Sequence, residues 1–557
     1  MAKKTNKTTK TNDTSDPKIP KAPKVPRVPK APKESKPKAP AAPRPRRRAA
    51  STESTPSTPS TPGTSTSSTQ GTPSTHGTSL DVLMIASEAR PFAKTGGLAD
   101  VIGALPQALA RLGHRVTIVL PNYRGTKTDG AHGEAALVPF GIHDYPVRFI
   151  EQPQSDGVVA VLIDAPALYD RDGLYGDGNG EYGDNAFRFA VLCRGALEYM
   201  RIHGRRPSVI HAHDWQGGLA PVYTRTVLHD DPVVGGVRTV LTIHNLAFQG
   251  MFAPKELAWI GLGPDLYNPA VLEFYGRAST LKGGVVFSDA ITTVSPTYAR
   301  EILTPDFGFG FDGILRTRSS DLSGILNGID TATWDPASDR FLPVHFDADT
   351  LDRKVDVKRA LLEHAGLPVD DAALARPLVG IVTRLTHQKG CDLFATAAER
   401  LMRLDASWVM LGSGDGWCED VWRHLAARYP NRVAARIGFD ERLAHLIEAG
   451  ADLFLMPSWY EPCGLNQMYS LRYGTLPIVR ATGGLEDTVV DVDETAGDAS
   501  GFKFHHYTGE ALISAVERAL TVFRNEPERW RTMQRNGMRR DFSWDVSARE
   551  YVKVYKG

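Results

Sequence analysis

The chain has 557 residues with 65 Lys and Arg against 64 Asp and Glu, and its net charge of +1 conceals two bodies of opposite sign. Residues 1–79 carry 16 basic and 4 acidic side chains, a surplus of +12, while the remainder carries 49 basic and 60 acidic, a deficit of −11. No stretch approaches the roughly 18 apolar residues of a membrane span, no apolar segment follows the basic start as a signal peptide requires, and Cys193, Cys391, Cys418 and Cys463 form no CxxC pair, which argues against a disulfide framework or zinc knuckle.

A soluble, cytoplasmic protein is therefore expected, although the scarcity of acidic residues in the tail is also a feature of organellar transit peptides. Residues 17–46 repeat Pro-Lys-Ala and Pro-Arg-Val units, and residues 50–79 are almost wholly Ser, Thr, Pro, Gly and Gln. Neither half buries enough apolar surface to offset the entropy of ordering it, so 1–79 reads as a disordered tail. Contact with a nucleic acid or another polyanion is the second use of its charge.

From residue 80 the rhythm changes. DVLMIAS (81–87) predicts a strand, LADVIGALPQALARLG (98–113) a helix, and RVTIVLP (115–121) a second strand, as in a βαβ unit with a parallel sheet. Residues 330–376 hold Asp-Pro and Phe-Leu-Pro and predict a crossing segment. A fresh start follows: strand PLVGIVTRL (377–385), helix CDLFATAAERLMRL (391–404), and strands SWVMLG (407–412) and DLFLMP (452–457). The fold class is α/β, with two such units in series. Parallel sheets bind ligands outside the carboxyl ends of their strands, so two facing units would share one cleft.

The unusual residues concentrate in those strand-end loops. After the first strand, Lys94 precedes Gly96 and Gly97 at a helix start, where bare backbone, free N–H groups and a full charge suit a phosphate. The glycines alone would also ease a tight turn. Arg384 and Lys389 in RLTHQKG (384–390) are either solvated or face a departing anion. HAHDW (211–215) invites a metal reading of His211, His213 and Asp214, yet no third convergent ligand is evident. The triplets Asp347-Ala-Asp349 and Asp491-Val-Asp493 read as solvated loops.

The segment EARPFAKTGGLADV (88–101) resembles the KxGGL signature of bacterial glycogen and plant starch synthases. HAHDW, TIHNLAFQG (242–250), TVSPTYAREI (293–302), LNGID (326–330), RLTHQKG and YEPCGLNQMYSLRYGTLPIVRATGGLEDTV (460–489) follow in that family's order, so the resemblance covers residues 80–557. It implies two Rossmann-like domains facing a central cleft, a GT-B type glycosyltransferase, with domains at 80–329 and 330–540. A terminal helix in 541–557 would cross back to the first.

The implied reaction moves glucose from ADP-glucose to the end of an α-1,4-glucan with retention, without metal or other cofactor. The resemblance gives Arg384 and Lys389 the charge on the leaving phosphate, Glu461 the transferred sugar, and His213 a sugar hydroxyl. Donor binding falls to Lys94, Gly96 and Gly97, and to the loop of Cys463, Gly464, Leu465 and Asn466. The second Glu of many related transferases, eight positions after the first, is here Tyr469. Phe439, where relatives commonly carry Tyr, either stacks on the donor base or closes the second sheet as a core residue.

Overall fold

The structure is a computed structural model that describes residues 79–128, 132–178, 180–495 and 497–557. The expected tail disorder and its polyanion contact lie outside the described residues.

Nine strands build the first sheet: β1 (Asp81–Ile85), β2 (Arg115–Pro121), β3 (Glu134–Pro139), β4 (Asp144–Ser155), β5 (Val158–Asp164), β6 (Val209–His213), β7 (Arg238–Ile243), β8 (Ala290–Thr293) and β9 (Leu322–Gly324). Their order is β9-β8-β7-β6-β1-β2-β5-β4-β3. Pairing is parallel from β9 to β5, and β4 and β3 add an antiparallel edge.

The six-stranded second sheet is parallel throughout, with β10 (Leu378–Leu385), β11 (Ser407–Gly414), β12 (Val433–Ile437), β13 (Leu453–Met456), β14 (Leu476–Arg480) and β15 (Phe502–Phe504) in the order β12-β11-β10-β13-β14-β15.

The unbroken apolar runs follow from burial on both faces of a parallel sheet. Because neighbouring side chains on a strand point to opposite faces, Leu83 and Ile85 of β1 join one core cluster while Val82 and Met84 join another. The second sheet divides in the same way, with Val379 and Ile381 on one face and Leu378 on the other.

Helix α1 (Gly97–Arg111) follows β1, α2 (Pro296–Glu301) follows β8, α3 (Cys391–Leu401) follows β10, α4 (Asn466–Arg472) and α5 (Gly483–Thr488) flank β14, and α6 (Trp544–Lys556) ends the chain. Helix α6 packs on the first sheet, with Trp544, Ala548, Tyr551 and Tyr555 buried in the cluster that holds Val82 and Met84. Its Tyr555 hydroxyl lies 2.9 Å from His211 Nδ1, and Arg111 donates to Asp545 at 2.6 Å.

Candidate active site between the two sheets

Loops from both sheets enclose a cavity of about 550 Å3. The first sheet contributes Glu88, Thr95, Gly96, Gly97, Asp214 and His244, and the second contributes Arg384, Lys389, Glu461 and residues 463–466. The residues assigned a catalytic or donor-binding role from the sequence all line it except Lys94, His213 and Phe439.

Lys389 and Glu461 reach it from the ends of neighbouring strands. Lys389 sits in the short turn after β10, and its Nζ meets Glu461 Oε2 at 2.5 Å. Ser458 donates to the same oxygen at 3.0 Å, and Glu461 is 5% exposed. Arg384, near the end of β10, lines the cavity with no hydrogen bond or ion pair to its guanidinium among the described residues. The two cations therefore differ in kind: Lys389 anchors the glutamate, and Arg384 is unpartnered.

Gly464 (φ +72°) turns the chain into α4, and Asn466 Nδ2 donates to the Val382 carbonyl at 2.7 Å. Gln467 holds the Cys463 and Gly464 carbonyls, each at 3.0 Å, from within. Burial pushes the Cys463 thiol up to about 12, so it acts as a small apolar group there. At Gly96 and Gly97 an added Cβ would meet nothing within 4 Å. Protein packing therefore does not demand glycine at either position.

Lys94 points elsewhere. Its Nζ is 2.8 Å from both Asp100 carboxylate oxygens, and Arg90 meets the same carboxylate at 3.0 Å. His213 is fully buried behind the lining: its Nδ1 lies 3.0 Å from His244 Nε2, and its own Nε2 has no hydrogen-bond partner among the described residues. Burial and the neighbouring histidines hold His213 well below the usual imidazole range. Phe439 is 88% exposed on the loop after β12, which does not fit the core reading.

His211 uses both ring nitrogens on Tyr555 and Thr242. Asp214, at φ +52°, accepts the His244 and Asn245 amides, and burial raises its carboxyl to about 7. Asp347 caps its own turn through the amides of Asp349 and Thr350, while Asp491 and Asp493 both hold Arg518. Tyr469 stacks on Trp334 at 4.0 Å between ring centres, and Trp334 stacks on His445 at 3.9 Å.

Across the interface, α2 and α5 cap each other. Asp487 of α5 accepts the Thr297 amide at 2.8 Å and its hydroxyl at 2.6 Å, at the start of α2. Glu301 of α2 accepts the Thr482 hydroxyl at 2.8 Å and the Gly483 amide at 3.1 Å, at the start of α5. Ser295 adds a 2.6 Å bond to the Pro462 carbonyl, next to Glu461. Carboxylates at helix N-termini satisfy free amides and the positive dipole end.

The family model described as the starch synthase catalytic domain matches residues 81–317, and the one described as glycosyl transferases group 1 matches residues 370–537. The glycogen synthase of Koribacter versatilis is 47% identical over 479 residues, which are 86% of this chain and 98% of that protein. That of Anaeromyxobacter dehalogenans strain 2CP-1 is 49% identical over 478 residues, 86% of this chain and 99% of that protein.

The chain belongs to the glycogen synthase family. Among solved structures, the catalytic domain of Starch Synthase IV from Arabidopsis thaliana, bound to ADP and acarbose, has 35% identity and a TM-score of 0.79. The match covers 86% of this chain and 99% of that one. This agrees with the GT-B type arrangement of two α/β domains.

For a glycogen synthase, the cleft holds polar groups that the sequence reading left without a role: Glu88, Asp214 and His244. Asp214 and His244 are each the first residue after a parallel strand, β6 and β7. That position, a polar side chain directly behind an apolar run, was the signal available for them.

Proposed function

We propose that this glycosyltransferase moves glucose from ADP-glucose to the non-reducing end of an α-1,4-glucan with retention of configuration. The observation that carries this reading is the unpartnered Arg384 beside the Lys389–Glu461 pair, opposite the bare backbone of Gly96 and Gly97, in one cavity. In the reaction the bond between sugar C1 and the phosphate oxygen breaks, an acceptor hydroxyl bonds to C1, and its proton passes to the departing phosphate. Arg384 and Lys389 stabilise the charge developing on that phosphate. Glu461 orients the sugar or stabilises its positive charge. The amides of Gly464, Leu465 and Asn466 receive the distal phosphate, and His213 acts on the sugar through His244.

ADP and acarbose bound to the starch synthase relative support a nucleotide donor and a glucan acceptor. The deciding experiment is incubation with glycogen and ADP-, UDP- or GDP-glucose while the released nucleotide is measured. Equal or better use of UDP-glucose would defeat the ADP assignment and leave glucan synthesis standing.

Phe439 is assigned to the donor base. Its exposure means that Phe439→Ala should leave the melting temperature unchanged, while loss of stacking worth roughly 1–3 kcal/mol raises the KM for ADP-glucose at least about fivefold. An unchanged KM would remove it from the donor site.

Domains at 80–329 and 330–540, with 541–557 returning to the first, complete the assignment. Deleting residues 1–79 should therefore leave synthesis on soluble glycogen intact while weakening any association with polyanions. A large fall in kcat would show that the tail belongs to the catalytic body.

A further inference from the structure

Glu88 has no part in the roles above, yet four donors converge on its carboxylate. It lies three residues beyond β1, is 3% exposed and lines the cleft. Oε2 accepts the Thr95 amide at 2.5 Å and the Gly96 amide at 3.1 Å. Oε1 accepts the Thr95 hydroxyl at 2.5 Å and the Tyr175 hydroxyl at 2.5 Å. The single phenolic proton of Tyr175 goes to Glu88, so Ser87 Oγ, 2.8 Å away, donates to Tyr175. A carboxylate offers about four lone-pair positions, and here each has a donor.

This arrangement decides which amides of the KTGGL loop are open to a ligand. Those of Thr95 and Gly96 already serve an internal anion. Those of Gly97 and Leu98, the first two residues of α1, have no acceptor among the described residues and line the cleft. Helix-start amides lack intrahelical partners by construction. Packing does not fix the loop at this point, since the space around Gly96 and Gly97 is open.

We propose that Glu88 is a positioning residue for the donor. It clamps Thr95 and Gly96 so that the Gly97 and Leu98 amides aim at the diphosphate, and Tyr175 ties this clamp to the polar segment 171–178. The assignment rests on the cleft being a nucleotide-sugar site. A carboxylate that merely competed with phosphate for the loop amides would produce the opposite response to its removal.

Glu88→Gln keeps the shape but removes the charge, leaving a neutral carbonyl oxygen for the Thr95 and Gly96 amides and an NH2 group facing the Thr95 and Tyr175 hydroxyls, and Tyr175→Phe removes one hydrogen bond. With the full-length protein, calorimetric titration of ADP should show affinity falling about tenfold to hundredfold for Glu88→Gln, the scale of losing charge-assisted hydrogen bonds. Tyr175→Phe should lose about three- to tenfold. The KM for ADP-glucose rises in parallel, while the KM for glycogen stays at the wild-type value and Tyr175→Phe remains folded. Should Glu88→Gln fail to fold, Tyr175→Phe alone decides. Wild type that binds ADP beside variants of unchanged or tighter affinity overturns this assignment alone. Wild type that binds no ADP overturns the donor-site reading and this assignment with it.

Discussion

Arg384→Ala should lower kcat by roughly 10²–10³, the usual loss when one preorganised contact to developing charge is removed, with almost no change in melting temperature. Its guanidinium has no partner among the described residues, so nothing in the folded protein depends on it. Lys389→Ala should match that loss in kcat but also destabilise the fold. Removing Lys389 leaves the Glu461 carboxylate, 5% exposed, with Ser458 as its one hydrogen-bond partner among the described residues, and uncompensated buried charge of this kind costs about 3 kcal/mol or more. Adding Glu461→Gln to Lys389→Ala should restore the stability without restoring activity. Turnover within a few-fold of wild type for either single variant would sink the leaving-group assignment, and equal melting temperatures for the two would sink the distinction between them.

That distinction was not legible in the sequence, where Arg384 and Lys389 are two cations five apart on one loop. Spacing reports which loop a residue occupies, and the partner comes from a separate strand end 72 residues away. The same limit explains Lys94. Its place beside Gly96 and Gly97 suggested a phosphate ligand, but Asp100 stands one helical turn further on, within reach of its ammonium, and Arg90 shares that carboxylate.

The sheets were more legible because burial on both faces leaves a nearly continuous apolar run, as in β1, β2, β10 and β13. The antiparallel edge of β3 and β4 lacks that mark. In β3 only Val138 is buried, β4 mixes exposed with buried and half-buried residues, and the 12-residue β4 carries two prolines. Tyr469 shows the converse. Its aromatic identity was plain, but only the fold reveals that it extends a stack with Trp334 and His445.

TVSPTYAREI and TGGLEDTV were visible as motifs without a task, and the reciprocal caps supply one. Gly484→Ala tests it. A Cβ there would overlap the Cys463 carbonyl oxygen and come within 2.6 Å of Cys463 Cα, and these backbone atoms cannot yield as a side-chain tip would. Gly483 has φ +46°, and its Cβ would overlap the Glu461 carbonyl oxygen. The glycines let the start of α5 lie directly against the backbone that carries Glu461, and Gly484 N donates to the Glu461 carbonyl at 3.1 Å. On its other side α5 is held to the first domain by Thr297 and Glu301. An added methyl group must therefore push the Glu461 loop into the cleft or break the caps. Overpacking of this kind destabilises by about 1–3 kcal/mol, and a displacement near 1 Å at a reacting group lowers kcat about a hundredfold. Gly96→Ala is the control: its Cβ enters open space, so stability should hold while the KM for ADP-glucose rises. If Gly484→Ala kept both wild-type kcat and melting temperature, α5 would not be what seats the catalytic loop.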